Sequence, residues 1–526
     1  MPISWPHNCV LRLAAKKASD FDAARHNNVS VMTSPAAPHD LTVRNGRVVA
    51  GGRIVEADIG VRDGLIADIA ANLPPGRRDI DAHGRWVLPG GIDSHCHVEQ
   101  LSGMGLMCAD DFHSATVSAA FGGTTTIIPF AAQHRGLKIP AVVADYAERA
   151  RTKAVVDYGF HLILADPDEQ ALNTDLPAAI AGGITSLKVY MTYDRLKLDD
   201  HQLLDVLAVA ERHGALVMVH AENHEMISWL AHRLLERGHK APKYHAVAHD
   251  PLAEAEATQR AISLARLIDV PVLIVHVAGA ETVDVIRAAR TLGAKVHAES
   301  CPQYLFLKAG DIDLPGVEGA KFCCSPPPRD AASQEAVWQG FADGTLSVYS
   351  SDHAPYRFDE SGKLPKGEAT TFKEMANGVP GIELRLPLLF SEGVMAGRID
   401  IHQFVALTAT NHARLYGLAP RKGAITVGAD ADLVLWNDQR EVTVSAAMLH
   451  DRVGYTPYEG RVLRGWPEVV LSRGRVIVEG GTLHAEAGSG RYIARGTPEP
   501  LRERHATTRT PRARGLRALV GLEPAE

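Results

Sequence analysis

The stretch GGIDSHCHVEQ, residues 90–100, follows an apolar run and places two histidines, His95 and His97, one residue apart. In a β-strand, residues i and i+2 project from the same face, so the two imidazoles would lie side by side at a strand end. Neutral imidazole is a common ligand of divalent transition metals. The spacing therefore suits a metal ion at this strand end, but the tripeptide alone favours a pair of surface or turn histidines, so further ligands must come from elsewhere in the chain.

Around this stretch the chain alternates apolar, β-branched runs with segments of helix length. The strand candidates are VLPGGIDSHCHV, GGTTTIIPF, YGFHLIL, ITSLKVYMTY, ALVMVHAEN, PVLIVHVAG, AKVHAES and LSVYSSDHAP. Eight nearly continuous hydrophobic strands, separated by segments such as HQLLDVLAVAERHG, predict an α/β fold of the (β/α)8 TIM-barrel type. In such barrels the chemistry takes place at the C-terminal ends of the strands.

Both ends of the chain contain shorter alternating strands, LTVRNGRVV and ADIGVRDGLIADI before the barrel, and KGAITVGADADLVLW and EVVLSRGRVIVEGG after it. The pairs Asn45-Gly46 and Asp63-Gly64 predict hairpin turns, because both tolerate positive φ. We therefore expect a small β-sandwich domain built from both chain ends. The expected divisions are an N-terminal extension at 1–38, sandwich parts at 39–88 and 422–492, a catalytic barrel at 89–421 and a C-terminal tail at 493–526.

The two terminal segments outside these domains have little periodicity. We expect residues 1–38 to be peripheral or partly disordered. The tail from residue 493 is rich in arginine and proline and cannot bury a core by itself. We expect it to be disordered or to lie across a neighbouring subunit.

The overall composition is that of an ordinary globular protein. Of 526 residues, 46% are hydrophobic and 22% are charged, with a formal net charge of -7, which gives no indication of a nucleic-acid partner. No run approaches the ~18 consecutive apolar residues of a membrane span. The six cysteines form no CxxC pair, so reduced thiols in a cytoplasmic protein are the simpler account.

Five of the predicted strands end in residues that suit one metal centre. Besides the first histidine pair these are Lys188, His220, His276 and Asp352. Lys188 is unusual because a protonated ammonium has no lone pair and repels a cation. A neutral lysine held between two dications reacts with carbon dioxide to give a carbamate, N6-carboxylysine, which is an anionic bidentate ligand. A packed or ion-paired lysine is the alternative.

The ordered set of motifs resembles the dihydropyrimidinase/D-hydantoinase family of cyclic amidohydrolases, within the amidohydrolase superfamily, over roughly residues 40–490. The motifs are GGIDSHCH, SLKVYMTY, VHAEN, VHVAG, CSPPPR, SSDHAP, NGVPGIE, KGAITVGADADLVLW, PYEG and GWP. The resemblance implies two divalent metal ions per subunit, with Zn²⁺ expected and Mn²⁺ as the alternative. It assigns His95, His97 and Asp352 to one ion, His220 and His276 to the other, and carboxylated Lys188 to both.

The resemblance also implies the activity, which is hydrolysis of the cyclic amide bond of a neutral ureide, a 5,6-dihydropyrimidine or hydantoin, to an N-carbamoyl amino acid. Tyr193 and the backbone around Ser325 and Asn377 would hold this small-molecule substrate. Asp352 would act as general base and then acid, and Tyr193 as the oxyanion donor. A homotetramer is expected from the same resemblance.

Several other functions share part of this pattern. Allantoinase, cyclic imide hydrolase and dihydroorotase use the same ligands with different substrate recognition. A mononuclear deaminase would have no bridging lysine, and a non-catalytic relative would have lost ligands. Metal content distinguishes the last two from a binuclear enzyme.

Two departures from the family pattern leave the substrate open. The segment VEQLSGMG follows His97, and Gln303 stands where relatives often have histidine. We expect neither to touch the ligand set. Dihydroorotases typically have an arginine after the HxH pair, whereas this chain has Glu99. If Glu99 faces the pocket, it would repel an anionic ring and favour neutral ureides; the alternative is that it points into solvent or pairs with a loop cation.

Overall fold

The computed structural model describes residues 39–502 and 511–522. The strands are β1 Leu41–Ala50, β2 Arg53–Arg62, β3 Leu65–Ala70, β4 Arg78–Asp81, β5 Trp86–Pro89, β6 Gly91–Asp93, β7 Thr124–Ile127, β8 Phe130–Ala132, β9 Asp157–Tyr158, β10 His161–Ile163, β11 Ser186–Tyr190, β12 Leu216–His220, β13 Val272–Ile274, β14 Val296–Ser300, β15 Val348–Tyr349, β16 Leu433–Thr443, β17 Val462–Ser472, β18 Arg475–Glu479 and β19 Thr482–Leu483. The α-helices are α1 Phe112–Phe121, α2 Ile139–Lys153, α3 Leu176–Ala181, α4 Asp200–His213, α5 His224–Glu236, α6 Tyr244–Ala248, α7 Pro251–Leu267, α8 Ala280–Thr291, α9 Pro302–Phe306, α10 Ala309–Ile312, α11 Ala331–Ala342, α12 Arg385–Leu389, α13 Ile401–Val405, α14 Asn411–Leu415, α15 Glu499–Arg502 and α16 Pro511–Leu519. The expectation for residues 1–38 lies outside the described residues.

Parallel strands form the centre of the molecule. Within residues 39–502, seven of them form one sheet in the order β15-β14-β13-β12-β11-β10-β8, and three more form the sheet β6-β7-β9. Each of the eight predicted strand regions contains a strand, so the predicted α/β class with a parallel sheet is confirmed. The run GGTTTIIPF is divided into β7 and β8 before Pro129, which has no N–H to donate to a ladder.

Helices such as α4 cover the sheet because one side of each is apolar. In α4 the buried residues Leu203, Val206, Leu207 and Ala210 recur at helical spacing. Its N-terminus is fixed by Asp199, whose carboxylate accepts from the N–H of Gln202 at 2.8 Å. It ends at Gly214, which adopts φ +84°. The predicted crossover helix HQLLDVLAVAERHG is therefore confirmed.

A second sheet combines both ends of the described chain, as predicted. Its main path of strands is β19-β18-β17-β16-β5-β1-β2-β3, and β4 pairs with β1. The junction between the two chain ends is the antiparallel pair β5–β16, in which Leu88 lies opposite Val434. Alternate buried residues of these strands form a separate apolar core that includes Val48, Ile59 and Leu433.

The hairpin predicted at Asn45-Gly46 is wrong. Strand β1 continues through both residues with a register irregularity, and the turn to β2 lies at Gly51-Gly52. Asn45 does adopt positive φ, at +54°, but as part of a bulge. Gly46 is required by close packing, since a Cβ there would lie 2.5 Å from Cγ2 of Val87. The turn predicted at Asp63-Gly64 is confirmed.

The described residues of the C-terminal tail are not disordered but pack on their own chain, and its placement across a neighbouring subunit stays a prediction. Ile493 and Arg495 are buried, and the Arg495 guanidinium donates to Ser186 Oγ at 2.8 Å and to the carbonyl of Phe160. In α16, Arg517 donates to the carbonyl of Ile268 at 2.8 Å. Buried arginine donors, which composition alone does not reveal, dock the tail on its own chain. None of the helices in the described ranges has the length and apolarity required to cross a membrane.

Candidate metal centre

The first ligand group lies where β6 and β15 end. His95 Nε2 and His97 Nε2 lie 3.2 and 3.4 Å from the same oxygen, Oδ1 of Asp352. The strand itself ends at Asp93, and the extended chain beyond it pairs with the segment after β15 through Cys96 and His353. Three ligand atoms, one from each residue, lie within 4.8 Å of one another. The structure therefore brings together three of the six predicted ligands in a group suited to one cation.

The second pair lies at the ends of the neighbouring strands β12 and β13. His220 Nδ1 and His276 Nε2 are 2.8 Å apart. The other nitrogen of His220, Nε2, donates to Oε2 of Glu222 at 2.7 Å, which directs Nδ1 toward the centre. Burial lowers the pKa of both imidazoles, which keeps them neutral with lone pairs available. The pair thus offers two further nitrogen atoms that could bind a metal ion.

Lys188 lies in the middle of β11 and is fully buried. Its Nζ has no hydrogen-bond partner among the described residues and lies 5.4 Å from the ring centroids of both Phe130 and Tyr190. Burial lowers the pKa of this amine to about 8, against the opposing charges of Glu299 and Asp352. A buried amine without a partner fits a lysine that becomes anionic by carboxylation and then binds cations.

Lys188 lines the same cavity as both groups of histidines. Its charge lowers the pKa of His95 in the first group and of His220 and His276 in the second, each after the larger effect of burial. The set of imidazoles, a carboxylate and a buried amine is suited to binding divalent metal.

Three of the site residues have strained backbones. Tyr193, His276 and Asp352 adopt φ of +73°, +41° and +47°. Left-handed backbone is uncommon for side chains of this size, and it concentrates at functional sites, where the surrounding structure enforces it. All three residues line one cavity.

Two carboxylates that support the ligands were missed in the sequence. Glu299 accepts from Nδ1 of His95 at 2.5 Å, and burial raises the pKa of Glu299 to about 8. Glu222 accepts from His220 and, at 2.8 Å, from Nδ1 of His249. Glu299 is the last residue but one of strand β14, in VHAES, and Glu222 follows β12 in VHAEN. The rule that located the ligands, polar residues at strand ends, would have found both.

The expectation that neither sequence departure touches the ligands is wrong. Gln100, in the segment VEQLSGMG, accepts from Nδ1 of His97 at 2.9 Å. Gln303 donates from Nε2 to Oδ2 of Asp352 at 3.1 Å. Both amides therefore orient ligands directly.

The predicted substrate residues lie around the same cavity, which has a volume of about 330 Å³ and includes all six ligands in its wall. The ring of Tyr193 is 5.1 Å from that of His220, and burial raises the pKa of its phenol well above the usual value. Ser325 precedes a cis peptide bond and its Oγ lies 3.1 Å from His245 Nε2. Oδ1 of Asn377 is buried and has no partner in the described structure. Tyr193, Ser325 and Asn377 are thus brought together with the ligands.

Glu99 does not contribute to this cavity. Its carboxylate accepts from Lys153 Nζ at 2.7 and 2.8 Å, on the side of α2. The expectation that Glu99 repels an anionic ring is therefore wrong, and its alternative, pairing with a cation, is what the structure contains. Gln100, the next residue in the chain, lines the cavity wall instead of Glu99.

Comparison with known proteins identifies the family. Residues 86–477 match the model of the amidohydrolase family. D-hydantoinases of Rhizobium radiobacter and Geobacillus stearothermophilus are 41% and 43% identical to the chain, over 87% and 86% of its length and 99% and 96% of theirs. The crystal structure of dihydropyrimidinase from Brevibacillus agri NCHU1002 superposes with a TM-score of 0.84 at 41% identity, covering 87% of this chain and 99% of that one. The chain belongs to the amidohydrolase family, in the group formed by the D-hydantoinases and dihydropyrimidinases.

Proposed function

We propose that the protein hydrolyses the cyclic amide bond of neutral cyclic ureides, 5,6-dihydropyrimidines or 5-substituted hydantoins, to N-carbamoyl amino acids. The observation that carries this proposal is the buried, unpartnered amine of Lys188 beside both ligand groups, in one cavity with Tyr193. The relatives that this chain matches over almost their whole length are named D-hydantoinase and dihydropyrimidinase. Allantoinase, cyclic imide hydrolase and dihydroorotase activities are not favoured by these relatives.

Two divalent cations, Zn²⁺ or alternatively Mn²⁺, would be held by the six ligands. His95, His97 and Asp352 would hold one, His220 and His276 the other, and Lys188 as N6-carboxylysine would contact both. Such cations, when bound, polarise a carbonyl and lower the pKa of a water to about 7.

The protein's own groups account for the remaining chemistry. Asp352 takes a proton from the attacking water and returns it to the leaving ring nitrogen. Tyr193, which remains protonated because burial raises the pKa of its phenol, donates to the oxygen of the carbonyl as it gains charge. Asn377 and the main chain at Ser325 orient the ring, and the unpartnered Oδ1 of Asn377 offers an acceptor for a ring N–H.

We propose further that the parallel strands close into a (β/α)8 barrel spanning residues 89–421. Closure is supported by the pairing of Cys96 with His353, and by the bond from the N–H of Ser351 to Asp93 at 3.1 Å, which link the first and last strand regions. The second sheet would form a β-sandwich from residues 39–88 and 422–492, with a tail at 493–526.

A cytoplasmic homotetramer is the remaining part of the proposal. Five cysteines among the described residues are buried and free, as in a reducing compartment. Exposed apolar side chains on neighbouring helices, Trp229 on α5, Val247 on α6 and Leu252 on α7, offer surface for contacts between subunits.

The experiment is a substrate panel with a metal count. The purified protein, loaded with Zn²⁺ or Mn²⁺, is assayed with dihydrouracil, a 5-substituted hydantoin, allantoin, a cyclic imide and dihydroorotate. We expect about two metal ions per chain and the highest kcat/KM for dihydrouracil or the hydantoin. A clear preference for dihydroorotate or allantoin, or turnover with one ion per chain, would reject the assignment.

A further inference from the structure

Lys363 is a second fully buried lysine, outside the ligand set. It lies in the loop between β15 and α12, in the sequence SGKLPKG, at 0% exposure. Next to it are members of a compact apolar cluster that includes Cys323, Leu364 and Phe372. A lysine is almost never fully buried unless it is paired, so this position requires an explanation.

The ammonium is satisfied by two main-chain carbonyls. Nζ of Lys363 donates to the oxygen of Cys323 at 2.7 Å and to that of Ala376 at 2.8 Å. The same Cys323 oxygen accepts from the N–H of Gly378 at 3.0 Å. One side chain therefore joins two segments that are more than fifty residues apart in sequence.

These two segments contain the substrate residues of the proposed function. Cys323 precedes Ser325 by two positions, and Ala376 immediately precedes Asn377. Both Ser325 and Asn377 line the cavity, whereas Lys363 does not. Lys363 thus contacts the backbone of both substrate-binding segments from behind the cavity wall.

The choice of lysine follows from the chemistry of the two acceptors. An ammonium carries three N–H donors on one atom, and charge-assisted bonds to carbonyls are shorter and stronger than neutral ones. Burial lowers the pKa of Lys363 to about 8, although the neighbouring Cys323 and Cys324 act to raise it. The side chain therefore remains mainly protonated at neutral pH. The charge of Lys363 also lowers the pKa of His245, although burial and the neighbouring His249 have larger effects. Nε2 of His245 lies 3.1 Å from Oγ of Ser325.

We propose that Lys363 is a positioning residue for substrate binding, which sets the spacing between the segments 323–326 and 376–378 through its bonds to Cys323 and Ala376. The proposal rests on the proposed function, because it takes Ser325 and Asn377 as the groups that hold the ring. Lys363 acts through the backbone and touches neither the substrate nor the ligands.

The test compares Lys363→Met with Lys366→Met in the full-length, metal-loaded protein. Methionine keeps most of the length of the side chain but donates no hydrogen bond. Lys366 lies in the same loop, is exposed, and pairs with Glu374, away from the cavity. For Lys363→Met we expect KM for the neutral ureide to rise about tenfold, as expected for the loss of a charge-assisted bond, while kcat changes less than about threefold. Lys363→Gln, which keeps N–H donors without the charge, should lie between.

A second measurement is independent of activity. Amide hydrogen exchange should become faster at residues 323–326 and 376–378 in Lys363→Met, and remain unchanged there in Lys366→Met, with metal content equal in both. If the native protein hydrolyses no cyclic ureide, the proposed function fails, and the exchange experiment still decides the spacing role. If exchange and KM in Lys363→Met equal those in Lys366→Met, only the role of Lys363 fails. Two further outcomes would overturn the positioning role and assign Lys363 a general structural role instead. One is a loss of kcat and of bound metal in Lys363→Met while KM is unchanged, and the other is failure of both Lys363 variants to fold.

Discussion

The amide of Gln303 donates to one oxygen of Asp352, Oδ2, at 3.1 Å, while the other oxygen, Oδ1, faces His95 and His97 at 3.2 and 3.4 Å. The two oxygens of one carboxylate thus have separate partners. Because both side chains are buried, the hydrogen bond holds the plane of the carboxylate in a fixed orientation. A base that must accept a proton and return it depends on such an orientation.

Replacing Gln303 by methionine should therefore lower kcat. A hydrogen bond to a charged group contributes about 1.5–3 kcal/mol, which corresponds to roughly a tenfold to hundredfold loss. Metal content should stay near that of the native protein, because Oδ1 keeps its position. Gln259→Met, exposed on α7, is the control. Unchanged kcat in Gln303→Met would contradict an orienting role for this amide.

Lys188→Ala should abolish both activity and most metal binding, since it removes the group that is close to both ligand pairs. The carbamate makes a more specific prediction for the native protein. Metal uptake by the metal-free enzyme should be faster and more complete with bicarbonate than in buffer free of carbon dioxide. Metal analysis and regained activity are measured together. Full occupancy and native turnover in the alanine variant would show that Lys188 is not a ligand.

Asp352→Asn should differ from the lysine variant. The amide keeps the shape of the carboxylate, and His220 and His276 are unaffected, so at least one metal ion should be retained. Turnover should fall by about a hundredfold or more, because the group that transfers the proton is lost. Circular dichroism, metal content and kcat are the measurements. A variant with nearly native kcat would assign proton transfer to another residue.

Glu99→Gln should leave substrate preference unchanged. The carboxylate of Glu99 pairs with Lys153 and does not line the cavity. The ratio of kcat/KM for dihydrouracil to that for dihydroorotate should equal the native ratio. Because the pair is partly exposed, unfolding free energy should decrease by less than about 1 kcal/mol. A shift of the ratio toward dihydroorotate would show that the charge of Glu99 does repel an anionic ring, contrary to its position in the structure.

Arg495→Met should destabilise the fold without affecting the cavity. The guanidinium is buried and donates to Ser186 Oγ and the Phe160 carbonyl, so its loss leaves buried acceptors unpaired, at a cost of about 1–3 kcal/mol. Arg491→Met, on an exposed side chain four residues earlier, should change stability by less than about 0.5 kcal/mol. Urea unfolding of both variants is the measurement. Equal midpoints would mean that the tail does not stabilise the fold.

Much of this site was predictable because strand ends in a parallel sheet meet at one edge. His220, His276 and Asp352 follow apolar runs, and their types indicate metal binding before any coordinates are known. The supporting groups were harder to predict. Gln303 and Gln100 contact ligands from a short helix and a loop, and sequence does not specify how loops fold back. The prediction of a turn at Asn45-Gly46 was wrong for a related reason, because β1 packs there against Val87, which belongs to another strand.

The amino-acid sequence by itself determined the alternation of strands and helices, the pairing of both ends of the described chain in a second sheet, and the residue types at the strand ends that predict a metal site. These properties follow from periodicity and from residue type, which are local. Only the tertiary structure decided that Glu99 turns to Lys153, that Arg495 is buried, and that Lys363 joins the backbones before Ser325 and Asn377. Each of these depends on partners distant in sequence, and a buried charge is stable only where such partners lie within hydrogen-bond distance.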